Sequence, residues 1–167
     1  MRNRILTVDP DEVYDMSLTE EENETLRRLC RSDDDADRRL FLDWVEVWSL
    51  RGEYGPLFIP LLEELVGDDD EDTGFDALHH LGCYCEAEPE LVWQALLELL
   101  DDEVLFPHLS AFILEHLLEY HADTYLPLVR ERIVAGDRKW WLLLKGCYLF
   151  GQMEQRAVVG NVLQGME

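Results

Sequence analysis

The chain has 167 residues, of which 47% are hydrophobic and five are tryptophan, and its formal net charge is −23. The length is that of one domain, and the aromatic content excludes a disordered acidic tail, because such tails lack aromatic side chains. The charge argues against binding to DNA, RNA or an anionic membrane, since phosphate recognition needs a positive footprint. It favours fast, salt-sensitive association with a basic partner.

The hydrophobic residues do not form a membrane segment. The longest apolar runs have about ten residues, whereas a transmembrane helix needs about 20. The N-terminal segment also lacks an apolar stretch of signal-peptide length. We therefore expect a cytoplasmic protein. Because the cysteines lie within helical patterns and form no C-x-x-C pair, we expect buried free thiols, neither a zinc knuckle nor a redox motif. They are Cys30, Cys83, Cys85 and Cys147.

The chain begins with residues 1–16, which we expect to be a loosely ordered lead-in to a single domain over residues 17–167. The first helix is predicted to begin near Ser17 or Thr19. Each of these residues is followed three positions later by a glutamate, as in a capping box. The helix is predicted to end near Arg31.

A second helix is predicted over residues 35–50, where apolar residues recur at helical spacing. The polar residues between them fall on one stripe of the helix. This stripe consists of Arg39, Asp43, Glu46 and Ser49.

The rest of the chain repeats with a period of about 33 residues, and a repeat of 20–50 residues made of two helices indicates an α-solenoid. The segment that starts at Leu57 returns at Leu91 and Thr124, and Gly82-Cys83-Tyr84 returns as Gly146-Cys147-Tyr148. We predict an all-α fold of about nine helices with no β-sheet. The predicted pairs are 56–67 with 73–85, 89–100 with 106–120, and 123–135 with 138–150, followed by a single helix over 153–165.

The segment Phe58-Ile59-Pro60-Leu61-Leu62-Glu63-Glu64-Leu65-Val66-Gly67-Asp68, followed by Ala77-Leu78 and Leu81-Gly82, resembles a HEAT repeat. That family has an apolar first helix of the form Leu-x-Pro-Leu-Leu-x-x-Leu, then a turn with aspartate and a second helix. Residues 125–137 resemble the same pattern, although the Val-Arg pair that often opens the second helix is missing. The resemblance covers residues 55–165 and implies an α-α superhelix of about four helix pairs, with the second helices on its concave side. It implies a fold and not a function.

Two prolines recur within this pattern. Pro60 and Pro127 are expected near the start of a first helix. A proline is tolerated there because the first amides of a helix have no intrahelical partner.

The turns between first and second helices are rich in carboxylates, and in a solenoid they fall on one edge. One aspartate in each turn is enough to cap a helix, at about 0.3–1 kcal/mol. The excess therefore indicates either a rim that faces a partner or a bias of composition. The carboxylates are Asp33 to Asp35, Asp68 to Asp72, Asp101 to Glu103, and Asp137, and the rim candidates for binding are Asp69, Asp70, Asp101 and Asp102.

The polar stripes of the second helices are the other candidates for partner binding. Aromatic side chains among carboxylates suit the Arg or Lys side chains of a partner. A single apolar stripe cannot bury both Trp140 and Trp141. The alternative is that these residues only cover a solvated groove. The candidates are Asp43, Glu46, Asp76, His79, His80, Glu115, Glu119, Trp140 and Trp141.

A metal site is the sharpest chemical alternative, because Asp76, His79, His80 and Cys83 share one helical face. The two adjacent histidines, however, diverge by about 100° around the helix. The sequence has no nucleophile elbow, no Gly-rich phosphate loop and no H-E-x-x-H motif. We therefore expect no metal, no cofactor and no catalysis. The remaining histidines are expected to be ordinary core or surface residues, and they are His108, His116 and His121.

These features predict a non-catalytic, protein-binding module. The chain resembles the short, acidic, HEAT-like immunity proteins found beside bacterial polymorphic toxins, and the resemblance implies an inhibitor of a basic toxin or nuclease. Two alternatives stay open: a scaffold or assembly factor that binds a helix or peptide, and a metal-dependent enzyme that uses the face of Asp76, His79 and His80. We expect a monomer or a weak homodimer that binds neither nucleic acid nor membrane.

Overall fold

The structure is a computed structural model, and it describes residues 17–49 and 52–147. Over these ranges the chain is all-helical, with seven helices and no β-strand. The predicted lead-in and the predicted helix over 153–165 lie outside the described residues, so the total of nine helices stays a prediction. The chain divides into two compact units, Met1–Cys83 (unit 1) and Tyr84–Glu167 (unit 2).

Unit 1 contains four helices in the described residues. The first begins at the predicted capping box, in which the Thr19 hydroxyl accepts from the Glu22 amide while the Glu22 carboxylate accepts from the Thr19 amide at 2.8 Å. A short 3₁₀ turn, Gly52–Tyr54, precedes the third helix. The helices are α1 (Glu20–Cys30), α2 (Asp35–Ser49), α3 (Gly55–Val66) and α4 (Glu71–Cys83).

The helices of unit 1 form two pairs in two layers. Within the pairs, α1 packs on α2 and α3 packs on α4, while between the pairs α1 packs on α3 and α2 packs on α4. First helices therefore lie beside first helices, and second helices beside second helices. The layers share a dry core, in which the rings of Phe41 and Phe58 lie 6.1 Å apart and are fully buried.

Unit 2 contains α5 (Pro89–Leu99), the long helix α6 (residues 106–134) and α7 (Arg138–Gly146). A π-helical turn, Ser110–Leu114, interrupts α6 near its start. His121 has non-helical backbone angles, φ −135° and ψ 36°, and its kink divides α6 into α6a (residues 106–120) and α6b (residues 122–134). The kink falls where the sequence pattern predicts the break between two helices.

Unit 2 repeats the two-layer arrangement. The second helices, α6a and α7, pack on each other, and α5 packs on α6a. The first helices α5 and α6b meet through Trp93 and Tyr125, whose ring centroids lie 4.9 Å apart. Trp93 also stacks on Trp140 of α7 at 5.1 Å. Each unit is thus built from two helix pairs, as the repeat predicts.

The expected position of the two prolines is wrong. Pro60 lies in the interior of α3, and Pro127 lies in the interior of α6b, beyond the first turn in each case. Each proline therefore removes one backbone hydrogen bond from its helix. Both residues are exposed, so the helical carbonyl that loses its partner lies on a side of the helix that faces water.

Candidate functional site

The second helices of unit 1, α2 and α4, leave an open groove with a volume of about 730 Å³ between their polar sides. We call it the acidic groove. Its lining residues are Arg39, Leu42, Asp43, Glu46, Asp72, Phe75, Asp76, His79, His80 and Cys83.

Helical periodicity positions the groove residues on both walls. On α2 the lining residues Arg39, Asp43 and Glu46 lie at spacings of three and four, which places them on one side of the helix. The other side of α2 carries Phe41 and Trp44, which are 0% and 4% exposed. Burial of these aromatic side chains in the core thus orients the polar stripe of α2 into the groove.

The groove contains five of the predicted binding residues. Helix α2 contributes Asp43 and Glu46, and α4 contributes Asp76, His79 and His80. The predictions missed further lining residues on α4, Asp72 and Phe75 among them. Helical spacing would have identified both, because they lie one turn before Asp76 and His79 on the same side of the helix.

The groove has an excess of negative charge. Among the described residues, four carboxylates line it, and Arg39 is the only Lys or Arg in the lining; its guanidinium lies 3.4 Å from the Asp70 carboxylate of the neighbouring turn. Within the part of the chain that the structure describes, Asp43 and Asp76 form no hydrogen bond or ion pair with another side chain. A cationic group entering the groove would therefore meet carboxylates that are not already neutralised by a basic side chain.

The histidine pair lies on the wall of the groove formed by α4, where His79 is exposed and His80 is half-buried. Burial lowers the pKa of His80, and the neighbouring His79, whose ring centroid is 5.6 Å away, lowers it further. Glu46, Asp76 and Asp43 act in the opposite direction and raise the same pKa. Burial is the largest of these effects, so His80 is a neutral imidazole at pH 7 that can donate one hydrogen bond and accept another.

The cysteines differ in burial. Cys30, Cys85 and Cys147 are buried free thiols, as predicted, but Cys83 is exposed, so its expected burial is wrong. The reason is its position on α4, where it follows His79 and His80 on the polar side. Desolvation in the groove, together with Glu46, raises the pKa of the Cys83 thiol. The thiol is therefore protonated at neutral pH and is a poor nucleophile.

The groove does not have the geometry of a metal site. Among the described residues, no three His, Cys, Asp or Glu side chains come together in a way that could hold a metal ion. Asp76, His79, His80 and Cys83 share one side of α4, but their ligand atoms spread along and around the helix instead of converging.

The acidic turns of unit 1 have intramolecular partners that sequence reasoning did not find. Arg38 pairs with Asp68 at 2.8 Å, with only 14% and 11% of the two side chains exposed. Asp70 accepts a hydrogen bond from the Thr73 hydroxyl, which lowers the pKa of Asp70, and Arg39 lowers it further. The ion pairs join α2 to the turn before α4. The prediction that the excess aspartates serve no structural purpose is wrong for this turn.

The acidic turns of unit 2 also have intramolecular partners. Asp102 accepts hydrogen bonds from two amides of its own turn, and Asp137 accepts from the Lys139 amide at the start of α7. The Lys139 ammonium also pairs with Asp101 and lowers the pKa of its carboxyl. Of the four rim candidates, Asp70, Asp101 and Asp102 thus cap or pair within their own unit, and Asp69 is exposed.

The remaining predicted binding residues belong to unit 2, and two of them are not at the surface. Glu115 is 7% exposed and Trp140 is 1% exposed, because Trp140 is the aromatic residue that α7 packs on Trp93. Trp141 is half-buried beneath the Lys145 ammonium, which lies 4.7 Å from its ring centroid. Glu119 is exposed on α6a. Of the predicted partner-binding residues, those at the surface are therefore the ones in the acidic groove and a few scattered side chains.

Comparisons of the chain with protein-family models, with curated proteins and with solved structures found no match. The resemblance to HEAT repeats therefore depends on the sequence pattern alone. In the part of the chain that the structure describes, no helix has both the length and the apolar character needed to cross a membrane.

Proposed function

We propose that the protein is a non-catalytic binding module that captures a basic protein through the acidic groove. The observation that carries this proposal is that the described residues place four carboxylates and one guanidinium around a groove of about 730 Å³. A groove of one charge with low-dielectric walls concentrates its field and attracts ligands of the opposite charge. The net charge of the whole chain, −23, adds to the attraction at long range.

The particular function that we favour is that of a cytoplasmic immunity or inhibitor protein for a basic toxin or nuclease. In this proposal the chain is a HEAT-like superhelix of about four helix pairs. Its carboxylates occupy the positive cleft that such an enzyme uses for phosphate. Electrostatic complementarity then provides specificity and a fast association rate, which suits a neutralising protein.

A scaffold or assembly factor is the second candidate, and the apolar part of the groove favours it. Leu42 and Phe75 line the groove together with the carboxylates. A groove with both apolar and charged walls suits one side of an amphipathic segment. The third candidate, a metal-dependent enzyme on Asp76, His79 and His80, gains no support from the geometry of the described residues.

The test is a pull-down from the native lysate with mass spectrometry, performed with three versions of the protein. The groove variant Asp43→Asn/Asp76→Asn removes two carboxylates without changing side-chain size. The matched control, Glu98→Gln/Glu131→Gln, removes the same charge from exposed positions of unit 2. We expect the wild type and the control to retain a basic protein that the groove variant loses.

Equal capture by all three versions would contradict the proposal. If a basic enzyme is captured, its activity is measured with and without the protein. Inhibition that is lost in the groove variant supports the immunity function, whereas binding without inhibition supports the scaffold.

A further inference from the structure

We infer that the occupant of the acidic groove is a short arginine-bearing segment of the partner protein, recognised by its guanidinium groups and not by positive charge alone. This inference builds on the proposed function and names the chemistry of the partner. It depends on the combination of carboxylates on both walls with aromatic rings on the wall formed by α4.

The carboxylates lie on both sides of the groove. Asp43 and Glu46 belong to the wall formed by α2, while Asp72 and Asp76 belong to the wall formed by α4. A guanidinium has five N–H donors in one plane, so it can donate to more than one carboxylate at the same time. The ammonium of lysine is a compact, strongly hydrated point charge and lacks this flat, forked geometry.

Aromatic side chains add a second reason to favour arginine. Phe75 lines the groove and is half-buried, and the rings of His79 and His80 lie one turn further along the same wall. Guanidinium groups stack on such faces, and they are desolvated at lower cost than ammonium groups. Because burial keeps His80 neutral, its ring does not repel the incoming cation at pH 7.

The size of the groove limits the length of the segment. The lining residues on α4 run from Asp72 to Cys83, which corresponds to about 16 Å along the helix axis at about 1.5 Å per residue. An extended chain covers this distance with about five residues. A volume of about 730 Å³ accommodates a few long side chains but not a folded domain.

The experiment uses two labelled five-residue peptides of equal charge, one with three arginines and one with three lysines, separated by glycine or serine. Their dissociation constants for the full-length protein are measured by fluorescence anisotropy at pH 7 and low salt. We expect the arginine peptide to bind about fivefold more tightly. The groove variant Asp43→Asn/Asp76→Asn should bind both peptides more weakly. The control Glu98→Gln/Glu131→Gln should bind them as the wild type does.

A second variant separates stacking from charge. Phe75→Leu keeps an apolar side chain in the groove but removes the ring. We expect it to lower the affinity for the arginine peptide to about that for the lysine peptide, and to leave the affinity for the lysine peptide unchanged. Circular dichroism and the thermal midpoint of each variant show whether it is folded.

The outcomes distinguish this inference from the proposed function. If the wild type binds the two peptides with equal affinity, or binds neither, the inference of an arginine-bearing segment is overturned. Capture of a basic protein that depends on the groove would still support the proposed function. If the basic protein is captured equally by the groove variant, the proposed function fails instead.

Discussion

The two units use the same plan of two stacked helix pairs, but the side chains between their second helices differ. In unit 1, α2 and α4 leave a groove of about 730 Å³. In unit 2, α6a and α7 approach so closely that a Cβ atom added to Gly146 would lie 2.6 Å from the Ser110 hydroxyl oxygen. The cysteines of the repeated tripeptide Gly-Cys-Tyr differ in burial in the same way. Cys83 is exposed, whereas Cys147 is buried with its thiol donating to the Ser110 carbonyl at 3.6 Å.

We attribute this difference to the size and charge of the side chains in the second layer. In unit 1 the carboxylates on both walls of the groove have the same charge and repel each other. In unit 2 the small side chains of Ser110 and Gly146 permit close approach, and Ser110 begins the π-helical turn. The charges follow the same division, since residues 1–83 carry 23 carboxylates and eight Arg or Lys, against 14 and six in residues 84–167.

The largest expected effect concerns the packing of α7 in unit 2. Trp140→Ala removes a side chain that is 1% exposed and stacks on Trp93 at 5.1 Å. We expect the free energy of unfolding to fall by about 3–5 kcal/mol, measured by urea denaturation. Hydrogen exchange should show the loss of protection within residues 84–147. The neighbouring Trp141→Ala is the control, because Trp141 is only half-buried. Equal losses from both variants would contradict the packing of α7 described here.

The second prediction compares the ion pairs of the two units. Arg38→Met leaves the Asp68 carboxylate, 11% exposed, without its guanidinium. We expect a loss of about 3 kcal/mol in the free energy of unfolding, since removing one partner of a buried pair leaves an uncompensated charge. Lys139→Met breaks an exposed pair with Asp101, and we expect a much smaller loss. Similar losses would show that the ion pair in unit 1 contributes no more to the free energy of unfolding than the ion pair in unit 2.

The third prediction concerns the close contact in unit 2. Gly146→Ala places a methyl group against Ser110, and we expect a loss of about 1–3 kcal/mol from overpacking. The double variant with Ser110→Gly should recover part of that loss, which a double-mutant cycle measures. Gly67→Ala is the matched control, because no atom lies within 4 Å of the added Cβ. If Gly146→Ala is as stable as the wild type, then α6a and α7 are not closely packed.

Local features of the fold could be predicted from the sequence because they depend on neighbours along the chain. The capping box at Thr19 and the polar stripes of α2 and α4 follow from spacings of three and four residues. The kink at His121 occurs where the apolar period breaks. Such patterns identify the helices and the side of each that faces water.

Features that depend on tertiary distances could not be predicted in this way. Burial of Glu115 and Trp140 depends on packing between different helices of unit 2, such as the stacking of Trp140 on Trp93, which no local period encodes. The partners of the acidic turns were missed for the same reason. Asp68 pairs with Arg38, and Asp70 with Arg39, about one repeat earlier in the chain. A sequence shows the number of carboxylates in a turn but not which of them a distant arginine neutralises.

The smallest expected effect lies in the open groove and depends on pH. Burial lowers the pKa of His80 below 6.5, the value in the unfolded chain. Below pH 6.5 the unfolded state therefore binds more protons than the folded state, and the free energy of unfolding decreases as the pH falls toward the folded pKa. Well above pH 6.5 the imidazole is neutral in both states and has no such effect.

His80→Gln should remove this contribution, so its stability should change less than that of the wild type between pH 7 and pH 5 in urea denaturation. The paired carboxylates do not interfere in this window. The pKa of Glu64 is lowered by Arg31 from 4.5, and that of Asp101 by Lys139 from 3.8, so their contributions are lost only at more acidic pH. His116→Gln, in unit 2, removes an imidazole outside the acidic groove and is the control for the substitution itself. Parallel curves for His80→Gln and the wild type would show that the groove does not desolvate His80, and would weaken its contrast with unit 2.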